Sequence, residues 1–199
     1  MMKRLFDITL ATLGLILTAP FLAVGALLIK LDSPGPVLFT QERIGRHLNP
    51  FRLYKLRTMI VELPTSDRLL TIGHDKRVTR VGRLLRRSKI DELPQLINVL
   101  KGDMSFVGPR PEVRTYVELY RTEFEELLSV RPGLTDLASV RFADEAAVLA
   151  RAADPERTYI DVILPEKLRL ARESIRRSSF CFDLYLIFKT PWSVLRPER

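Results

Sequence analysis

The sequence predicts an α+β protein: a small, mostly helical domain with one short β-hairpin, anchored by an N-terminal membrane helix. Three observations lead to this prediction. Residues 8–29 carry no charge, two short strand-like runs follow, and apolar residues in most of the remaining chain recur at helical spacing. We expect residues 1–31 to form the membrane element and residues 32–199 to form the folded domain, with interfacial amphipathic helices.

The uncharged segment at 8–29 would be about 33 Å long as a helix, enough to cross the hydrocarbon core of a bilayer. However, Pro20 interrupts its middle, and basic residues flank both of its ends. A re-entrant helix that breaks at Pro20 and returns to the same face satisfies both features; a Pro-kinked crossing helix is the alternative. Asp7 lies one turn after Lys3 and Arg4, and we expect it to pair with one of them at head-group depth.

Two runs, 37–42 and 51–58, are predicted to form the hairpin, because they are rich in β-formers and a loop with Gly and Pro separates them. The second strand carries Arg52, Lys55 and Arg57, and solvent-facing charges on a half-buried strand are one interpretation of them. Residues 60–75 have no clear periodicity and are predicted to form a loop that closes over a bound substrate.

A strongly basic segment follows the loop. Residues 76–88 have an apolar helical face and a basic one, which fits a helix on a membrane surface or against nucleic acid. Seven cations and no acid lie between residues 76 and 89: Lys76, Arg77, Arg80, Arg83, Arg86, Arg87 and Lys89. Residues 1–111 hold 18 Lys and Arg against 9 Asp and Glu, which indicates an anionic partner: lipid, nucleic acid or nucleotide.

Next come two adjacent carboxylates, Asp91 and Glu92, at the start of a predicted helix. Pro94 belongs in the first turn of that helix, and Gly102 suits its left-handed end. The apolar positions of this helix are Leu93, Leu96, Ile97 and Leu100. We expect free backbone N–H groups and the helix dipole to keep Asp91 ionised, with a low pKa. Ordinary helix capping is the alternative interpretation of the pair.

The surroundings of the pair favour a binding site over a cap. The basic segment precedes it, and the turn at 108–111 fixes one further guanidinium, that of Arg110. Two carboxylates among so many cations suit a polyphosphate bound with magnesium. A chain with two histidines and one cysteine does not suit a His-rich zinc site or an internal disulfide.

The rest of the chain is predicted to be scaffold. Residues 112–129 have the pattern of one acidic amphipathic helix, and residues 144–152 and 156–175 are also helical in pattern. Residues 180–195 are rich in aromatic side chains and too short for a confident crossing. They form either an interfacial helix, with Tyr185 and Trp192 at head-group depth, or a core helix.

The segment DELPQLINVLKGDMSFVGPRPE at 91–112 resembles the signature of the bacterial sugar transferases, monotopic phosphoglycosyl transferases that load a phosphosugar onto a polyprenol phosphate. The resemblance covers most of the chain. It extends to KRLFD at 3–7, PVLFTQERIG at 36–45, FRLYKLRTM at 51–59 and VRPGLT at 130–135. It favours the re-entrant helix, although the family breaks this helix at Ser-Pro and this chain has Ala19 before Pro20.

The resemblance implies a nucleotide-sugar donor, usually a UDP-sugar, and a polyprenol phosphate acceptor. Asp91 would be the nucleophile that forms a covalent phosphosugar intermediate, and Asp91 and Glu92 would hold Mg²⁺. Lys55, Arg86 and Arg110 would neutralise phosphate charge. The family has a further arginine at the position of Ala143, and Arg141 is its nearest substitute here.

The resemblance also implies a bacterial inner membrane protein with its site on the cytoplasmic face. Membrane lipid would be a partner, nucleic acid would not, and a homodimer is compatible. Without the resemblance, the residues leave a second function open: a membrane-tethered module whose basic segment binds nucleic acid or anionic lipid, with the acids only capping a helix.

Overall fold

A long N-terminal helix lies along a body of short helices and two small sheets. The computed structural model describes residues 2–61, 70, 72–73 and 75–195. The helices are α1 (Met2–Asp32), α2 (Arg80–Arg87), α3 (Gln95–Lys101), α4 (Arg114–Leu119), α5 (Arg121–Leu127), α6 (Leu137–Arg141), α7 (Glu145–Ala150), α8 (Pro155–Thr158), α9 (Leu164–Arg176) and α10 (Phe180–Leu195). The strands are β1 (Leu38–Ile44), β2 (Pro50–Leu56), β3 (Ser105–Val107) and β4 (Gly133–Thr135). The predicted mixed, mostly helical architecture is confirmed.

The predicted hairpin is present, with each strand shifted by one or two residues. Strands β1 and β2 pair antiparallel, with Leu38 opposite Leu56 and Phe39 opposite Lys55. Neighbouring strand residues face opposite sides, so Leu56 joins the apolar cluster against α1 while Lys55 points away from it. Most of the loop predicted at 60–75 lies outside the described residues.

Helix α1 is long and apolar enough to cross a membrane, and it contains Pro20. One of its sides packs on the body: Gly14 lies against Leu96 of α3, and Gly25 lies against Leu56 and Leu85. The opposite side exposes large apolar residues along its whole length. They are Leu5, Ile8, Leu13, Ile16, Leu17, Phe21, Val24, Leu27 and Leu31. The body therefore covers one side of α1 and leaves an apolar stripe on the other.

Polar contacts tie both ends of α1 to the same body. At the first end, the Arg4 guanidinium donates to the carbonyl oxygens of Val99 (2.6 Å) and Leu100 (2.8 Å). At the second end, Asp32 accepts a hydrogen bond of 3.1 Å from the backbone N–H of Val81. The two ends of the apolar helix thus face the same side of the structure.

The expected pairing of Asp7 with Lys3 or Arg4 is wrong. Asp7 is buried, and its carboxylate accepts a hydrogen bond of 3.3 Å from the backbone N–H of Phe106. Lys3 instead forms an ion pair with Asp183 of α10. Partners distant in sequence prevail because Asp7 faces the body, where β3 offers an unpaired N–H group.

Two close backbone approaches shape the turn that carries Arg110. Strands β3 and β4 pair in parallel, and Gly108, the residue after β3, lies against Gly133, the first residue of β4. A Cβ atom at either glycine would lie well inside van der Waals distance of the opposing backbone. Both positions require glycine because the two backbones are too close for a side chain. The contact fixes the start of the Gly108–Pro111 turn.

The single helix predicted at 112–129 is instead two helices, α4 and α5. The chain leaves helical geometry at Tyr120, whose φ and ψ are −127° and 44°. The predicted inward residues do form the core, with Tyr120 only partly buried; the buried ones are Val113, Tyr116, Val117, Phe124, Leu127 and Leu128. The local break changes the direction of the chain without moving the apolar pattern out of the core.

Helix α10 combines the two alternatives raised by its sequence. Leu186 and Asp183 are buried against the body, as in a core helix. Tyr185 and Trp192 are about half exposed, at 53% and 54%, and Phe188 is 75% exposed. One face is core, and the other is an aromatic surface.

Candidate active site

The two carboxylates lie on a single 3-10 turn, Ile90–Glu92, between α2 and α3. Helix α3 begins only at Gln95, after Pro94, and it ends at Gly102, whose φ of 90° matches the predicted left-handed end. Neither start receives a side-chain capping hydrogen bond. The simple capping interpretation of Asp91 and Glu92 therefore fails.

Glu92 is the anchor for two of the predicted cations. Its Oε1 accepts hydrogen bonds from Lys55 Nζ (3.0 Å) and from Arg110 Nη2 (2.7 Å). Burial by itself would raise the pKa of Glu92, but the charges of Arg110 and Lys55 hold it well below its ordinary value. Burial lowers the pKa of Lys55. Glu92 is thus ionised and joins β2 to the turn after β3.

Arg86 reaches the site from α2. Its Nε donates a hydrogen bond of 2.8 Å to the Thr58 hydroxyl, and its charge acts on Asp91. Helix α2 comes this close because Gly82 packs against the Thr58 backbone, where a Cβ atom would clash. Sequence analysis missed both Thr58 and Gly82, since nothing in local periodicity marks a contact between a strand end and a helix.

Asp91 differs from its neighbour in having a polar atom without a partner. Its Oδ1 is buried and accepts no hydrogen bond from any described residue. Burial first, and then the charge of Glu92, raise the pKa of Asp91 to about 6, against the opposing charges of Lys55, Lys89 and Arg86. The expected low pKa is wrong, because burial outweighs the helix dipole. Near neutral pH the carboxyl is still mostly ionised, and it is more basic than an exposed aspartate.

Asn98 is a further residue that sequence analysis missed. Its side-chain oxygen accepts from the backbone N–H of Tyr54 (3.1 Å), and its amide donates to the Arg52 carbonyl (2.7 Å) and to Asp103 (3.1 Å). The bonds to Tyr54 and Arg52 attach α3 to the strand β2 that carries Lys55. A buried Asn inside an apolar helical pattern is the only sequence signal for such a bridge.

Arg141 lies apart from this cluster. It is exposed at the end of α6, and its charge acts on Glu166, just after the start of α9. The structure brings Asp91 and Glu92 together with Lys55, Arg86 and Arg110. Arg141 is not among the contacts of this group. A role for Arg141 in binding substrate stays a prediction.

The donor set fits magnesium in one particular way. No cluster of three or more His, Cys, Asp and Glu residues lies within the described part of the chain, so an all-protein cage is absent there. Mg²⁺ is commonly held by one or two carboxylates together with phosphate oxygens and water. The unpartnered Asp91 oxygen beside Glu92 offers such a partial site.

A separate charged centre lies beneath α9 and is built around Glu112. Its Oε2 accepts from Arg43 (3.0 Å), and its Oε1 accepts from the Tyr159 hydroxyl (2.6 Å) and from Lys167 (3.4 Å). Burial opposes ionisation, but Lys167 and Arg43 lower the pKa of Glu112 to about 2. Every contact here is internal, which is the pattern of a structural centre.

The chain is similar in sequence to several known proteins. The bacterial sugar transferase family matches residues 1–197. A UDP-N-acetylgalactosamine-undecaprenyl-phosphate N-acetylgalactosaminephosphotransferase of Aeromonas hydrophila is 40% identical over 97% of this chain and 43% of its own length. UDP-glucose:undecaprenyl-phosphate glucose-1-phosphate transferases are similar too: that of Caulobacter vibrioides is 50% identical (70% of this chain, 53% of its own), and that of Escherichia coli is 39% identical (96% and 39%). The chain spans about half the length of these relatives or less.

Proposed function

Since the chain belongs to the bacterial sugar transferase family, we propose that it transfers a phosphosugar from a UDP-sugar to a polyprenol phosphate through a covalent intermediate on Asp91. The observation that carries the proposal is the buried, unpartnered Oδ1 of Asp91 among cationic side chains. An unpaired carboxylate oxygen is costly to bury, so its retention at this position indicates a use in chemistry.

In the first half-reaction, Asp91 Oδ1 attacks the sugar-proximal phosphorus. The bond from that phosphorus to the bridging oxygen breaks, and UMP leaves with the electron pair. Arg110 binds Glu92, the charge of Arg86 acts on Asp91, and both guanidinium groups neutralise charge on the phosphate oxygens. A pKa of about 6 makes Asp91 a stronger nucleophile than an exposed aspartate and still leaves it mostly ionised near neutral pH.

In the second half-reaction, a phosphate oxygen of the polyprenol phosphate attacks the same phosphorus. The bond from phosphorus to Asp91 breaks, the carboxylate is restored, and the polyprenol-diphosphate-sugar is released. Atoms and charges balance without a further reactant.

Asp91 and Glu92 would hold Mg²⁺, which supplies charge neutralisation for the diphosphate when it is bound. Glu92 already holds Lys55 and Arg110, so its removal would disturb both the cations and the metal. Glu92→Gln should lower activity and raise the magnesium concentration needed for half-maximal rate. An unchanged magnesium titration would remove Glu92 from the ligand set.

The packing of α1 supports an orientation in which the whole protein lies on one face of the membrane. Elements of the body cover the middle of α1 as well as both of its ends, for example Leu96 against Gly14. A crossing orientation would carry Leu96 of α3 and the charged turn Ile90–Glu92 into the hydrocarbon, since they pack beside Gly14 and Leu22 of the uncharged segment. The predicted break at Pro20 is not present, since α1 runs through this residue as one helix. An α1 that lies in the interface and inserts only its exposed stripe avoids this cost, and the aromatic face of α10 would then lie at head-group depth on the cytoplasmic side.

The test is nucleoside monophosphate release by the detergent-solubilised protein with a panel of UDP-sugars, polyprenol phosphate and magnesium. We expect release with at least one sugar, and a phosphosugar adduct on the wild-type protein that Asp91→Asn does not form. Normal turnover by Asp91→Asn would refute the nucleophile. DNA retention that depends on salt, without any release, would favour the binding module instead.

A further inference from the structure

One lysine beside the carboxylate pair has an unusual backbone. Lys89 joins α2 to the turn Ile90–Glu92 with φ and ψ of 55° and 16°, in the left-handed region that non-glycine residues rarely adopt. Its N–H donates to the Arg86 carbonyl, and its own carbonyl accepts from the Glu92 N–H, both at 3.2 Å. Such strain persists where the surrounding structure enforces it, and it is concentrated at functional sites.

Lys89 is also set apart by its contacts. Lys55 and Arg110 both bind Glu92, and Arg86 donates to Thr58. The Lys89 side chain is exposed and makes no hydrogen bond or ion pair with another described residue. Its charge nevertheless acts on both Asp91 and Glu92. This ammonium group is therefore available to an incoming anion next to the nucleophile.

The position of Lys89 indicates which anion. The next residue, Ile90, packs in the apolar cluster that includes Leu22 of α1 and Leu85 of α2. Lys89 thus stands where the membrane helix meets the carboxylate turn. Lys55 points away from that cluster, because its strand neighbour Leu56 occupies it. The donor is soluble, whereas the acceptor phosphate arrives on a lipid.

We propose that Lys89 binds the phosphate of the polyprenol phosphate acceptor and holds it beside the phosphosugar on Asp91. The inference rests on the function proposed above. The Lys89 ammonium group neutralises the acceptor phosphate, whose oxygen attacks the phosphorus as the bond to Asp91 breaks. Lys55 and Arg110 then serve the donor diphosphate, so the two substrates have separate cations.

The test compares Michaelis constants for the two substrates in Lys89→Asn and Lys89→Arg, using undecaprenyl phosphate and the UDP-sugar that gives the highest wild-type rate. Asparagine tolerates the left-handed backbone and removes the charge, whereas arginine keeps the charge. For Lys89→Asn we expect the acceptor KM to rise about tenfold and the donor KM to stay within about twofold. Lys89→Arg should remain within about threefold of wild type for both substrates.

Lys101→Asn is the matched control, since Lys101 is an exposed lysine at the far end of α3. Its acceptor KM should change less than about threefold, which separates a local contact from a general effect of surface charge. A donor KM that rises as much as the acceptor KM, an unchanged acceptor KM in Lys89→Asn, or an equal effect of Lys101→Asn would each overturn the proposal. Failure of the wild-type protein to release nucleoside monophosphate would refute the underlying function instead.

Discussion

Asp91 and Glu112 are two buried carboxylates at opposite ends of one sequence motif, and their surroundings differ in kind. Glu112 accepts hydrogen bonds from Arg43, Tyr159 and Lys167, and its pKa falls to about 2. Asp91 keeps one buried oxygen without a partner, and its pKa rises to about 6. Both lie among cations, so nearby positive charge by itself does not decide the outcome.

The difference lies in hydrogen bonding. Around Glu112 the chain supplies donors to both oxygens, which offsets the cost of burial and makes the carboxylate a fixed part of the scaffold. Around Asp91 the cations are held by other groups: Lys55 and Arg110 by Glu92, and Arg86 by Thr58. The site thus gathers positive charge near Asp91 while leaving its Oδ1 without a hydrogen-bond donor.

The largest expected effect is on activity. Asp91→Asn should lower turnover by about 10⁴-fold or more, because the nucleophile is lost, and should leave the free energy of unfolding unchanged or slightly higher. Monophosphate release and urea unfolding measure the two quantities. A variant that unfolds much more easily would show that Asp91 is structural after all.

Glu112→Gln should have the opposite profile. It leaves Arg43 and Lys167 without their shared anion, so we expect the free energy of unfolding to fall by about 3–5 kcal/mol. Activity per folded molecule, measured at a temperature where the variant is folded, should stay within about threefold. If Glu112→Gln loses turnover while its free energy of unfolding is unchanged, Glu112 belongs to the active site and not to the scaffold.

The two pKa values predict that acid removes activity and stability in different pH ranges. For Asp91, kcat/KM for the donor should fall about tenfold per pH unit below about 6 and level off above it, because the carboxyl must be ionised to attack. For Glu112, whose folded pKa is lowered, the stabilisation is present above about pH 4.5 and is lost as pH falls toward 2. Activity should therefore disappear at a higher pH than stability does.

The smallest effect concerns the backbone at Lys89. Lys89→Gly should raise the free energy of unfolding by about 1 kcal/mol, since glycine adopts a positive φ without the steric cost. The same variant should show the weakened acceptor binding expected for Lys89→Asn. A thermal or urea midpoint together with the acceptor KM distinguishes relief of strain from loss of charge.

Local features were predicted correctly from the sequence. The end of α3 at Gly102 and the hairpin that carries Lys55 depend on neighbouring residues, which the sequence displays directly. The start of α3 was predicted too early, because Asp91 and Glu92 lie on a separate turn and the helix begins after Pro94. The position of Arg110 beside the carboxylates was indicated by the turn at 108–111, whereas Lys55 and Arg86 were assigned to the site through resemblance to the family.

Features that depend on tertiary burial were not predicted. The pKa of Asp91 rises because the folded chain removes water from it, and no local pattern records that removal. Similarly, Asp7 binds the backbone of Phe106, and Thr58 binds Arg86, across long separations in sequence. Burial changes the pKa of Asp91 more than the helix dipole does, and a distant backbone N–H group binds Asp7 in place of a cation one turn away.

The ion pair between Lys3 and Asp183, and the edge-on contact of Phe6 with Phe180 at 5.3 Å, join the first helix to the last. During translation α1 is made before α10, so these contacts can form only after the roughly 180 residues between them have been added. The attachment of α1 to α10 is therefore completed after every residue of the carboxylate site has been synthesised.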